Sequence, residues 1–244
     1  MKPLVVATRP AGLADDFVNQ CQKFNWQTLH LPLLNIVVQT DELNSLPEKI
    51  NKADAIFFVS PTAVSVVANS FDFSKFSGRL IAVGKATGLA IQKYCGKDAV
   101  YPDDGNDSEA VLRLPIWNDG GRLLIIRGKN GRDFLGDALV SRAWQVEYAD
   151  VYTRVANYPT HLQLSEIVNH NGEVAVVLTS SEIARIWCES WVSENAQISK
   201  RLLYLTIHQR IGDFLRKNGI HDVIDCVSET EIVKTLKHRW EEFL

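Results

Sequence analysis

Leu4-Val5-Val6-Ala7-Thr8-Arg9 is an apolar run closed by a hydroxyl and a cation, and a segment of helical spacing leads from it to Trp26-Gln27. The same succession returns as Leu123-Leu124-Ile125-Ile126-Arg127, a helical segment and Trp144-Gln145. Arg9 and Arg127 are 118 residues apart (127 − 9), as are Trp26 and Trp144 (144 − 26), so the register holds without a gap. Downstream, Phe58-Val59-Ser60-Pro61 corresponds to Leu178-Thr179-Ser180-Ser181, and Arg79-Leu80-Ile81 to Arg201-Leu202-Leu203. Chance agreement among βα units is the competing reading, because the identities are few. The shared order of four units favours a duplicated block.

Working outward, β-branched and apolar runs predict strands at Leu4–Thr8, Leu29–Val38, Ala55–Ser60, Leu80–Gly84, Ala99–Tyr101, Leu123–Arg127, Val146–Tyr152, Val174–Thr179, Leu202–Thr206 and Asp222–Val227. Helices intervene, such as Leu13–Phe24 with Leu13, Phe17, Cys21 and Phe24 on one face, and Glu229–Phe243 with Ile232, Leu236, Trp240 and Phe243 on another. Ser228 and Glu231 have the spacing of a cap for that last helix. Alternating strand and helix predicts an α/β fold with parallel sheets covered on both faces. Two halves would be two flavodoxin-like parallel-sheet domains, and the simplest cut falls at Asn118-Asp119-Gly120-Gly121. Against that cut, Leu29–Val38 and its counterpart Val146–Val155 are about twice the usual strand length. If both cross between two bodies, the domains are interleaved rather than consecutive.

The 244 residues carry 26 Lys+Arg against 29 Asp+Glu, a net charge of −3, with 46% hydrophobic residues. That composition is ordinary for a globular protein large enough to bury a core without staples. A faintly acidic chain with no basic block argues against nucleic acid as a partner. The absence of a long apolar run, and a start that goes straight into a strand, argue against a membrane span or a secretion signal. Cys21, Cys95, Cys188 and Cys226 lie far apart and are read as reduced thiols in a cytoplasm; no metal-ligand spacing, P-loop or dinucleotide fingerprint occurs.

Ligands of open parallel sheets bind beyond the carboxyl ends of the strands, beside helix N-termini. Those positions read Thr8-Arg9, Ser60-Pro61-Thr62, Gly84-Lys85, Arg127-Gly128 with Arg132, Thr179-Ser180-Ser181, and Thr206 with His208 and Arg210. Each hydroxyl alone is more simply a helix cap. Together, with Asp and Glu missing from these tips, they predict an anion-binding cleft. No Ser-His, Cys-His or paired-carboxylate arrangement can be assigned from spacing. Tyr152, in Val151-Tyr152-Thr153-Arg154, is the phenol nearest the presumed junction, and taken alone it reads as a half-buried packing residue.

These residues resemble uroporphyrinogen-III synthases over essentially the whole chain. The motifs are Thr8-Arg9-Pro10, Phe58-Val59-Ser60-Pro61-Thr62-Ala63-Val64, Ala82-Val83-Gly84-x-x-Thr87, Arg127-Gly128-x-x-Gly131-Arg132-x-x-Leu135, Val151-Tyr152-x-Arg154 and Leu178-Thr179-Ser180. The resemblance implies two flavodoxin-like domains joined by a two-stranded linker: residues 1–34 plus 156–244, residues 37–150, and linker strands at 33–38 and 150–155. It implies a cofactor-free, metal-free, cytoplasmic lyase, a monomer that receives hydroxymethylbilane from hydroxymethylbilane synthase and closes it to uroporphyrinogen III for haem biosynthesis, inverting ring D through a spiro intermediate. Tyr152 falls on the family's recurrent tyrosine and is expected to donate a hydrogen bond to the departing hydroxyl. Ser60, Thr62 and Ser180 match positions that hold substrate carboxylates; Thr8, Arg9, Lys85, Arg127, Arg132, Ser181 and His208 complete the expected substrate-binding set.

The chain departs from the family pattern at Ser180-Ser181-Glu182, where Ser-Pro-Ser is frequent, and at Ile207-His208-Gln209-Arg210, where a Gly-Pro-Thr-Thr-like loop is frequent. Both departures bear on the carboxylate contacts. A non-catalytic clamp for another polyanion would keep the cationic tips without needing Tyr152. A two-domain glycosyltransferase would need a Gly-rich nucleotide loop and an acidic ribose-binding residue, and neither stands out.

Overall fold

The computed structural model describes residues 2–68, 70–192 and 201–241. In chain order it runs β1 (Leu4–Ala7), α1 (Asp15–Lys23), β2 (Gln27–His30), β3 (Leu34–Val38), α2 (Thr40–Lys52), β4 (Ala55–Phe58), α3 (Pro61–Ala68) and β5 (Arg79–Ala82). There follow α4 (Lys85–Cys95), α5 (Ser108–Leu112), β6 (Gly121–Gly128), α6 (Phe134–Val140), β7 (Trp144–Ala156), α7 (His161–Val168) and β8 (Val174–Leu178). The last described elements are α8 (Ser181–Trp187), β9 (Leu203–Thr206), α9 (Gln209–Lys217), β10 (Val223–Asp225) and α10 (Glu229–Glu241).

The chain divides into two units, Met1–Asn35 with Val155–Leu244, and Ile36–Arg154. The first holds a sheet of order β10-β9-β8-β1-β2, parallel throughout, which is the doubly wound flavodoxin order. The second holds β3-β7-β6-β4-β5, with parallel pairing among β7, β6, β4 and β5. The fold is thus α/β with two parallel sheets. Beside the two chain crossings, Gln39 N–H donates to the Val151 carbonyl and Asn157 N–H to that of Leu33, each at 2.9 Å. As the first chain position rises from 33 to 39 its partner falls from 157 to 151, so β3 and β7 run antiparallel. The Asn118–Gly121 turn lies inside the second unit, where Gly120 (φ 65°) and Gly121 (φ 133°) take backbone conformations that L side chains avoid.

The 118-residue spacing is built into the pairing. Leu4 faces Gln27 across β1 and β2, and Arg122 faces Gln145 across β6 and β7, the same pair moved by 118 positions. Asn25 and Ala143, one residue before each Trp, share φ values of 63° and 64°. On the other edges, Val5 faces Ala175 while Leu123 faces Ala55, so Leu178 and Phe58 are equivalent and Ser180 corresponds to Ser60. One sequence match is corrected: since Ala55 faces Arg79 and Ala175 faces Leu203, Arg79 corresponds to Leu203, two residues beyond Arg201.

Two predicted elements also change. Leu29–Val38 is not one strand: β2 ends at His30 in the first sheet and β3 opens at Leu34 in the second. Pro32 between them has no amide to donate to a ladder, while Leu31 and Leu33 still donate to Ala7 and Thr8. Ala99–Tyr101 reduces to a single bridge between Ile81 and Val100. Phe243 lies outside the described residues.

Alternate residues of each strand enter separate cores because helices cover both sheet faces. In the first unit Leu4, Val6, Val174 and Val176 pack with Trp187 and Trp191, while Val5, Ala7, Ala175 and Val177 pack with Phe17, Ile232 and Leu236. In the second, Ile56, Phe58 and Ile126 lie on one face and Ala55, Phe57 and Ile125 on the other. Ser228 Oγ accepts from Glu231 N–H at the start of α10, and the Glu231 carboxylate accepts from Val227 N–H, one residue before the amide of an ideal capping box.

Asn tolerates the left-handed conformation that Ala143 adopts on an exposed turn, whereas Ala is strained there. Ala143→Asn is therefore expected to raise the unfolding free energy by about 1 kcal/mol, measured by urea denaturation. A loss of stability would show that this turn is not strained.

Candidate active site

The carboxyl ends of the second unit's strands present Ser60, Gly84-Lys85, Gly128 and Tyr152. Ser60 Oγ accepts from Ala63 N–H at 3.1 Å, capping α3, and lies 3.1 Å from the Tyr152 hydroxyl. Arg154 Nη2 donates to that same hydroxyl at 3.2 Å. A bulge places Tyr152 here: β7 pairs Asp150 with Arg127 and then Tyr152 with Gly128, skipping a residue. The ring consequently joins the core that holds Val151, only 1% exposed, against a glycine whose missing Cβ would lie 2.7 Å from it. Tyr152 is more deeply buried than the half-buried packing residue expected from sequence.

Arg127 is also largely buried, 8% exposed. Its Nε donates to Asp150 at 2.8 Å and its Nη1 to Asp133 at 2.7 Å and to the carbonyls of Gly131 and Arg132, while its guanidinium stacks 4.0 Å from the Tyr148 ring. Burial lowers its basicity, but Asp133 and Asp150 more than offset this, and the net shift is upward. Arg127 therefore braces the loop after β6 instead of standing as an open cation. Arg132 is exposed and paired with Glu109 at 3.1 Å. Lys85 opens α4 exposed, with no ion pair among the described residues, and Thr62 is buried in the first turn of α3.

In the first unit, Thr8 is fully buried and donates to the Val177 carbonyl at 2.5 Å, which ties β1 to β8. Arg9 meets Glu229 at 2.7 Å. Burial raises the pKa of that carboxyl despite the opposing pull of Arg9. Ser180 Oγ caps α8 through Ile183 N–H at 3.2 Å, with Ser181 exposed beside it. His208 Nδ1 accepts from Arg210 N–H at 3.1 Å and caps α9, so the neutral ring carries its proton on Nε2. Thr206 Oγ1 donates to Asp225 at 2.9 Å.

The expected absence of Asp and Glu from the strand tips is corrected. Glu229, Asp150, Asp133, Glu109 and Asp225 all reach them, because carboxylates fold back onto cations that look unpaired in the sequence and, for Asp225, onto the Thr206 hydroxyl. Of the predicted set, Ser60 and Tyr152 are brought into direct contact. Arg154 was visible within the Val151-Tyr152-x-Arg154 motif; its place two residues from Tyr152 on a strand was the signal that could have added it to the site. Burial pushes the thiols of Cys21 up to about 12 and those of Cys95 and Cys188 to about 11, so at neutral pH these three are protonated rather than nucleophilic. A groove of about 450 Å³ beside Lys49, Arg122 and Gln145 lies at the opposite, amino end of the second sheet.

Residues 15–234 match the family model described as Uroporphyrinogen-III synthase HemD. The uroporphyrinogen-III synthase of Salmonella typhimurium is 28% identical over 231 residues, covering 90% of this chain and 93% of that protein. That of Escherichia coli is 26% identical, with the same two coverages. Among solved structures, a mutant uroporphyrinogen III synthase from the extremely thermophilic bacterium Thermus thermophilus superposes with a TM-score of 0.60 at 14% identity, covering 99% of this chain and 100% of that one. The uroporphyrinogen-III synthetase of Helicobacter pylori gives 0.58 at 15% identity, covering 97% and 100%. At such identities the likeness shows a common fold.

The two arginines after β6 differ in what they hold. Arg127→Ala removes charge-assisted bonds to two carboxylates and two carbonyls and is expected to cost about 2 kcal/mol or more, whereas Arg132→Ala should stay within about 0.5 kcal/mol of the parent. Chemical denaturation of both variants checks this; equal losses would remove the bracing role.

Proposed function

The chain belongs to the uroporphyrinogen-III synthase family, cyclising lyases of porphyrin and haem biosynthesis, and from that premise we propose that it closes hydroxymethylbilane to uroporphyrinogen III. In this reading the bilane loses its terminal hydroxyl as water, leaving an electrophilic azafulvene on ring A. Ring D attacks through its already substituted α-carbon to give a spiro intermediate, and fragmentation with reclosure inverts that ring. The bilane also closes spontaneously without inversion. The protein's task is then to bring the substituted carbon to the electrophile first, which is catalysis by positioning and by stabilising developing charge.

The observation that carries this reading, beside the family match, is the contact of Ser60 with Tyr152 at the strand tips of the second unit. A hydroxyl pair with an arginine behind it can hydrogen-bond to a departing hydroxyl without a strong acid. The substrate carries eight carboxylates. Exposed Lys85 and Arg132 in one unit, and Ser181 and His208 in the other, are the groups proposed to receive some of them, with the amide donors at the starts of α3, α4 and α9. Arg9 would contribute by sharing its charge between Glu229 and substrate. Among the described residues no helix is long and apolar enough to cross a membrane. The proposal includes a cytoplasmic monomer that receives the unstable bilane from the synthase that makes it.

Incubation with freshly made hydroxymethylbilane, followed by oxidation and separation of the isomers, should give the type III product. Only the type I isomer, at the uncatalysed rate, would refute the proposal. Tyr152→Phe should slow turnover on the order of 100-fold without unfolding the protein, and parent-like kinetics would remove Tyr152 from the mechanism.

A further inference from the structure

Hydrogen-bond direction in the Ser60 cluster follows from counting protons. Arg154 has donors and no acceptor, so its 3.2 Å bond to Tyr152 must run from the guanidinium to the phenol oxygen. The phenol then has one proton to place. Its ring is packed in the core and against Gly128, and among the described residues its acceptor is Ser60 Oγ at 3.1 Å. Were the serine to donate to the tyrosine instead, the buried phenol proton would have no acceptor, a cost of about 1–3 kcal/mol. Ser60 Oγ thus accepts twice, from Tyr152 and from Ala63 N–H at 3.1 Å, which fills both of its lone pairs. Its single proton points elsewhere. Ser60 is only partly buried, at the end of β4, whereas Tyr152 is 1% exposed.

From this order we propose that Arg154 is a positioning residue which polarises a one-way chain from Arg154 through Tyr152 to Ser60, so that the proton offered to the substrate is that of Ser60. The proposal rests on the reading above and moves Tyr152 one step behind the reacting atoms. Charge at the head of the chain strengthens each bond after it. The Ser60 hydroxyl becomes a better donor than an isolated serine, and its direction is fixed before substrate arrives. The equivalent Ser180 has a similar cap bond, to Ile183 N–H.

Arg154→Gln should lower kcat on the order of 10-fold while leaving KM within about twofold, and Arg154→Lys should restore much of the loss. Ser60→Ala should be at least as slow as Tyr152→Phe, and the double variant no slower than Ser60→Ala, because members of one chain are non-additive. Ser60→Thr keeps both hydroxyl and cap, so it should recover part of the turnover lost in Ser60→Ala, which separates loss of the donor from loss of folding. Independently of activity, 13Cζ-tyrosine NMR should show the Tyr152 resonance, assigned by its absence in Tyr152→Phe, moving in both Arg154→Gln and Ser60→Ala. If the resonance moves while the parent protein makes only type I isomer, the chain stands and the enzymatic reading falls. An unmoved resonance in Arg154→Gln, or Ser60→Ala with parent-like kcat beside a slow Tyr152→Phe, overturns the proposal.

Discussion

A strand at the middle of a parallel sheet must be hydrogen-bonded along both edges, and this requirement organises the chain. β1 and β6 are equivalent central strands, each paired on one edge with the next strand of its own half, β2 or β7. The other edge of β1 is filled by β8 from the second half, and that of β6 by β4 from the first. Each duplicated half therefore completes the sheet of the other, and both crossings of the chain fall in β3 and β7. Within each half the order of strands is unchanged. What differs from two consecutive domains is only which partner covers the second edge.

This explains how much of the fold was legible in the sequence. The strands, their alternation with helices, and the repeat at 118 residues are local or periodic properties, and the ladder reproduces that spacing from Leu4↔Gln27 to Arg122↔Gln145. Edge choice is not local: the pairings of Ala55 with Leu123 and of Ala175 with Val5 link apolar residues that many other pairings would satisfy equally well. The doubled length of Leu29–Val38 was the available clue to a crossing. It overstated the strand because Pro32 and its neighbours still continue along β1 as far as Leu33.

At the strand tips the limit was electrostatic. Reading along the chain finds cations and hydroxyls but not the carboxylates that meet them, since Glu229 comes 220 positions after Arg9 and Asp150 comes 23 after Arg127. Placement also decides what each pair can do. Arg127, whose Nε and Nη1 are held by two carboxylates and two carbonyls, is fixed in shape. Arg9 and Arg132 sit in single, more exposed pairs, which water and competing carboxylates can exchange at little cost. Exchangeable charges of this kind suit the carboxylate binding proposed above, whereas the braced Arg127 fixes the loop after β6.

Tyr152 shows why a motif can identify a residue without revealing its task. In a regular strand Val151 and Tyr152 would face opposite sides of the sheet. The bulge beside Gly128 brings both into one core, and the glycine leaves room for the ring. No alternation pattern encodes that geometry, because it depends on a neighbouring strand. Its result is a phenol whose carbon frame is locked by packing while its oxygen lies between a cation and a capping serine. Reorienting the oxygen would require moving a core residue, so the donor direction at Ser60 is set by the same packing that stabilises the sheet. The proposed cyclisation, which must favour one of two closures, would need little chemical assistance and much fixed geometry, and a serine donor held by a phenol anchored in a sheet core supplies the latter.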